Sequence, residues 1–157
     1  MLKRRVRSLL VGLLALVALA VGIFAAVKVG KIEKTKDLGL TAYSIGSIAE
    51  VSGAEEKSSR AVRTGFLKAD KFNKITMGEN AEITYRVFYY NADKDFIGKT
   101  EVLSADLTEI AKTQTVAEAT ENVKYFRVVI LVPEAKDDVT ILNMNDYVKQ
   151  LTVTLNK

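Results

Sequence analysis

Two hydrophobic patterns divide the chain. The first is an unbroken run, LLVGLLALVALAVGIFAAV, in which Leu9 to Val27 holds 19 residues without a charged or strongly polar side chain. At about 1.5 Å per helical residue this run reaches roughly 28 Å, close to the thickness of a bilayer's hydrocarbon core. It predicts a transmembrane helix over 9–27. The second pattern begins near Leu38 and has period two. In AEITYRVFYY (81–90), Ile83, Tyr85, Val87 and Tyr89 fall on one face of an extended chain, and Thr84, Arg86, Phe88 and Tyr90 on the other. In VKYFRVVILV (123–132), Phe126, Val128, Ile130 and Val132 share one face, with Tyr125, Arg127, Val129 and Leu131 opposite. β-Branched and aromatic enrichment makes both segments strands.

Punctuation between the apolar segments sets their limits. Asn91 to Asp95 supplies turn chemistry, since Asn and Asp bond their own backbone and tolerate left-handed dihedrals; Phe96 and Ile97 then restart an extended segment, which predicts a hairpin. Pro133, the only proline, stops the strand before it. Leu151, Val153 and Leu155 alternate with polar neighbours in a final half-buried strand. Further extended candidates are Tyr43–Val51, Arg60–Leu67 and Phe72–Met77, while SADLTEIAKTQTVAEA (104–119) reads as a helical turn near Leu107–Lys112 followed by an edge strand. Short strands with almost no helix describe an all-β fold, a jelly-roll-type antiparallel β-sandwich preceded by one N-terminal transmembrane helix.

Charge divides along the same line. The whole chain carries +4, but Met1–Asp37 alone carries +6 and Leu38–Lys157 carries −2. The basicity therefore flanks the apolar run. The cluster Lys3, Arg4, Arg5 and Arg7 predicts a cytoplasmic tail over 1–8, with a charged stalk over 28–37 and an extracellular domain over 38–157. Cleavage after Ala18-Leu19-Ala20, which would release a secreted domain, is the competing reading of the N-terminus. With no cationic excess in the body, a nucleic-acid partner is not expected. The chain has neither Cys nor His. That removes disulfides, thiol nucleophiles, Cys-ligated metals and the usual general base at neutral pH.

The order of several short motifs resembles a known family. TAYSIGSIAEVSGAEEKSSRAVRTGFL, then ITYRVFYYNADKDFIG, then ENVKYFRVVI is similar to jelly-roll domains related to carbohydrate-binding modules, found in phage tail and baseplate proteins and in surface proteins of Gram-positive bacteria. The matching positions are Gly46-Ser47, Gly53 to Glu56, Arg63-Thr64, Tyr90-Asn91, Asp93 to Ile97, and Tyr125 to Arg127. The resemblance implies a bacterial cell-surface sandwich and sugar binding. Two positions depart from it: Asn91 stands where Asp is usual, and Arg60 lies three residues before Arg63, so that the two side chains face opposite ways on a regular strand.

Sugar recognition takes a planar aromatic for the ring's C–H face and planar polar groups for the hydroxyls. If Tyr85 and its companions point inward, the other face displays Arg86, Phe88 and Tyr90, joined by Tyr125, Arg127 and Arg63 from neighbouring strands. These six are the expected ligand residues. The alternative makes the aromatics core and lays the arginines over tyrosine rings. Asp93 and Asp95 are calcium candidates, although an EF-hand loop begun at Asn91 fails at Phe96, where Gly is needed, and at Val102, where a bidentate Glu is needed. A plain hairpin turn is the simpler reading, and no other cofactor is expected. No serine sits in a nucleophile elbow and no carboxylate pair is placed for hydrolysis, so no catalysis is expected. Two roles remain: a membrane-anchored, non-catalytic module binding a glycan or other cell-surface ligand, or a structural module that binds another envelope protein through a sheet face or edge.

Overall fold

The computed structural model describes residues 35–69, 73–108, 110 and 123–156. The expected transmembrane segment 9–27, its basic flank 1–8, the stalk up to residue 34 and most of 109–122 lie outside the described residues. Among the described residues no helix is long and apolar enough to cross a membrane.

The chain runs through β1 (Thr35–Asp37), a 3-10 turn (Leu40–Ala42), β2 (Tyr43–Ile45), β3 (Ser47–Ile48), β4 (Glu55–Glu56), β5 (Ala61–Thr64) and β6 (Leu67–Lys68). It continues through β7 (Lys74–Met77), β8 (Thr84–Tyr90), β9 (Phe96–Lys99), β10 (Leu107–Thr108), β11 (Tyr125–Leu131), α1 (Met144–Val148) and β12 (Leu151–Asn156). One sheet has the order β1-β12-β7-β10. The larger has the order β2-β5-β11-β8-β9, with β6 also on β11, and β3-β4 form a separate two-stranded ribbon. All these pairings are antiparallel.

The period-two pattern explains the packing. Tyr85, Val87 and Tyr89 of β8 and Phe126, Val128 and Ile130 of β11 join Ile75 of β7 and Leu151 and Val153 of β12 in one buried cluster. Two antiparallel sheets thus bury their apolar faces together, a sandwich-like all-β arrangement. β8 and β11 pair along seven residues, from Tyr90 opposite Tyr125 to Thr84 opposite Leu131. Their registry places Arg86, Phe88 and Tyr90 with Tyr125, Arg127 and Val129 on the outer face.

Three local expectations change. Of the helical turn expected near Leu107–Lys112, Leu107 and Thr108 are instead strand and pair with Ile75 and Lys74, Ile110 is in a 3-10 turn, and the remaining residues lie outside the described ones; Leu107 and Ile110 pack on the core. Thr35–Asp37, placed by the sequence in the stalk, is an exposed edge strand on β12, held also by the Thr154 hydroxyl donating to Asp37 Oδ1 at 2.8 Å. The short helix α1 was not expected, and it buries Tyr147 and Val148.

Candidate functional site

Two bulges shape one end of the larger sheet. Ala61–Arg63 pair with Leu131–Val129, and Leu67–Lys68 pair with Phe126–Tyr125. Three residues, Thr64 to Phe66, therefore stand opposite only Arg127 and Val128. The extra residue is accommodated by Thr64, whose hydroxyl accepts from Val128 N at 2.9 Å and whose carbonyl accepts from Arg127 Nε at 2.9 Å. Phe66 is thrown outward and is 40% exposed. On the far side, Phe88 and Tyr89 pair with Lys99 and Gly98, but Tyr90 pairs with Phe96, which leaves Ile97 as the second bulge. Bulges bend a strand and re-aim its side chains. Here they bring Phe66 and Phe96 to the two sides of Tyr90, with ring centroids 4.8 and 6.0 Å from it.

A roof closes over the middle of this face. The β3–β4 ribbon and its loop lay Ile48 against Ala61, Phe88, Tyr90 and Val129. Glu50 pairs with Arg86 and with Lys99 at 3.1 Å. Glu55 reaches Arg63 and Arg127, both at 2.7 Å. The Tyr90 hydroxyl donates to Gly53 O at 2.8 Å. Gly53 has φ +67, and a Cβ there would lie 2.5 Å from Phe96 Cβ, so only glycine admits the loop this close to the sheet.

The six expected ligand residues do share one face, and the structure corrects how they present themselves. Phe88 and Tyr90 are each only 2% exposed, because an apolar outer face of this size is covered by the chain's own ribbon. Arg86 and Arg63 are engaged by Glu50 and Glu55. Arg127, 3% exposed, lies with its Cζ 4.9 Å from the Phe66 ring centroid. Arg60 diverges from Arg63 as its spacing predicts: it donates to Pro133 O and Lys136 O and pairs with Asp138 at 3.2 Å.

Beyond the ribbon's edge the face opens into a cleft of about 520 Å³, lined by Val51 to Glu55, Phe66, Tyr90, Lys94, Asp95, Phe96 and Arg127. That volume lies within the range of about 300–1,000 Å³ usual for small-molecule sites. Lys94, at the tip of the β8–β9 turn, holds its Nζ 5.0 Å from the Phe66 centroid and 5.7 Å from that of Tyr125. No family model, curated protein or solved structure matches the chain. What the cleft can do is read from its own chemistry.

The two calcium candidates, Asp93 and Asp95, lie in a turn organised by Asn91. Asn91 Oδ1 accepts from the backbone N of Asp93 and of Asp95, both at 2.9 Å, and its Nδ2 donates to Asp95 Oδ2 at 3.0 Å. This closes an Asx-type turn. Among the described residues no group of three or more acidic side chains converges to hold a metal ion.

Phe66 is the residue that the sequence reading missed. Its signal was Gly65 inside an apparent strand, which marks a bulge more often than a continuous ladder.

Both roof carboxylates lie below the usual glutamate value of 4.5: Glu50 chiefly through its hydrogen bond from Arg86 and then Lys99, and Glu55 chiefly through that from Arg127. A depressed folded-state pKa contributes stability that is present above about pH 4.5 and lost as pH falls through the folded values. Hydrogen exchange corrected for intrinsic rates should therefore show the ribbon and its loop, 47–56, losing protection below pH 4.5 ahead of β8 and β11. Unchanged protection of 47–56 down to pH 3 would contradict this role for the two carboxylates.

Proposed function

We propose that this chain is a non-catalytic binding module and that the cleft between Phe66 and Phe96 receives a saccharide. One observation carries the reading. A strand bulge presents a 40% exposed phenylalanine at the mouth of a cleft whose lining also carries the Glu55 and Asp95 carboxylates and the Lys94 ammonium, with the buried Arg127 guanidinium holding Glu55 in place. An exposed ring supplies the surface for the C–H face of a pyranose, and forked donors and acceptors match vicinal hydroxyls. Glu55, held ionised by Arg127, is an acceptor for hydroxyl donors and not a general acid at neutral pH.

In this reading the domain is a jelly-roll-type sandwich carried on the outer face of a bacterial cell by the apolar segment 9–27, with the basic residues 3–7 inside. The family resemblance supports the same role. A glycan array probed with the full chain in neutral detergent, with and without calcium, tests it: saccharide binding independent of calcium is expected.

A second reading, an assembly module for another envelope protein, is favoured by a different observation. Ile141 and Leu142 are 86% and 95% exposed on a turn that Asn143 fixes, accepting from Thr140 N at 2.7 Å and donating to Asp138 O at 3.0 Å. This tip lies at the Leu131 end of β11, whereas the cleft lies at its Tyr125 end. An array without hits, together with a stoichiometric protein partner released by Leu142→Asp, would replace the saccharide reading with this one.

A further inference from the structure

Lys94 differs from every other charge lining the cleft. Arg127 and Glu55 pair with each other, and Asp95 accepts from Asn91 Nδ2. Lys94 has no carboxylate partner among the described residues; its ammonium lies against the Phe66 and Tyr125 rings. It also occupies the left-handed region, with φ 66, the only non-glycine described residue to do so. A lysine gains nothing locally there: Gly, Asn and Asp are the residues that this backbone favours, because the Cβ crowds the following carbonyl oxygen and lysine has no short polar group to offset it. Strain kept at the mouth of a cleft points to a side chain in use.

The surroundings set the sign of what it meets. Glu55 serves two guanidiniums, Arg63 and Arg127; the positive charge left over is offset by the Asp95 carboxylate in the cleft lining, so Lys94 carries the surplus positive charge of the site. A cation on an aromatic face is partly stripped of water, and an oxyanion approaching it is held more strongly than in bulk solvent. A neutral sugar stacking on Phe66 would have to push the ammonium aside. An acidic sugar lying on the same ring would instead present its substituent to it.

We propose that the saccharide received by the cleft is acidic, and that its carboxylate or sulfate ester pairs with Lys94. This rests on the saccharide reading given above. The test titrates the full chain with a hyaluronan hexasaccharide, which carries carboxylates, a heparin hexasaccharide, which adds sulfates, and neutral chitohexaose. Lys94→Asn suits the left-handed backbone, so the variant should melt no lower than the parent. It should nevertheless lose roughly tenfold to a hundredfold in affinity for whichever acidic sugar binds, the loss expected for one charge-assisted hydrogen bond. Lys94→Arg should restore most of the binding, and Lys149→Asn, at the far end of the domain, should leave it unchanged. Preference for one acidic hexasaccharide identifies the anionic group. Chitohexaose bound as tightly as the acidic sugars, with Lys94→Asn silent, would overturn the acidic assignment while leaving the saccharide reading intact. An equal loss with Lys149→Asn would reduce the effect to net charge and overturn it also. No binding to any of the three, nor to the wider array, would remove both.

Discussion

Replacing Arg127 by methionine is expected to lower the unfolding free energy by about 2–3 kcal/mol. The aliphatic part of the side chain is conserved, so the loss is that of the guanidinium. Its Nε satisfies the Thr64 carbonyl at 2.9 Å, and that oxygen sits at a bulge where no ladder partner replaces it. Its Nη2 holds Glu55 at 2.7 Å, and through Glu55 it ties the roof to the sheet. Removing one member of a buried pair is costly when the other is left as an isolated charge. Glu55 escapes that fate, since it is more than half exposed and keeps Arg63. The expected figure is therefore set by the orphaned carbonyl and the loosened bulge. Urea unfolding should show a lower midpoint at an unchanged slope. A change under 0.5 kcal/mol would mean that water satisfies Thr64 and that the guanidinium does not organise the bulge. Arg127→Lys should recover little, because an ammonium cannot reach both acceptors with the geometry of a planar fork.

Phe66→Ala is expected to do the opposite: little to stability and much to binding. Its ring is 40% exposed and touches Tyr90 and Tyr125 edge-on, so truncation should cost less than about 1 kcal/mol in folding. As the exposed aromatic at the cleft mouth it is placed to be a binding hot spot, and such residues cost about 2 kcal/mol or more when truncated, roughly a thirtyfold weakening. Titration calorimetry with the best glycan, beside a thermal melt, separates the two effects. An unchanged affinity with an unchanged melt would remove Phe66 from the site.

The sequence showed the core more clearly than the site, for a physical reason. Tyr85, Val87, Tyr89, Phe126, Val128 and Ile130 obey strict alternation, and alternation alone assigns them to a buried face. Alternation likewise puts Arg86, Phe88 and Tyr90 on the opposite face of β8, and the β8–β11 register sets Tyr125 and Arg127 beside them. What alternation does not encode is whether a face is covered. The roof is built from Ser47–Glu56, where two strands of two residues each carry no periodicity at all. Its only local marks are Gly46 and Gly53, both at positive φ, and two glutamates whose partners, Arg63 apart, lie more than thirty residues along the chain. Phe66 was hidden by the bulge, since an inserted residue shifts alternation by one and lets an outward side chain read as part of a continuous strand. At Leu107 and Thr108 helix-forming spacing in the sequence yields to the edge of β7, which offers both residues ladder partners.

An amide NMR titration of the isotope-labelled full chain with the best-binding saccharide reports directly on where the ligand sits. Shifts concentrated in Ser52–Glu55, Gly65–Phe66 and Asn91–Phe96, and absent from Thr140–Asn143, are the predicted result. Shifts centred on Ile141 and Leu142, or none at saturating saccharide, would contradict the assignment of the cleft as the ligand site.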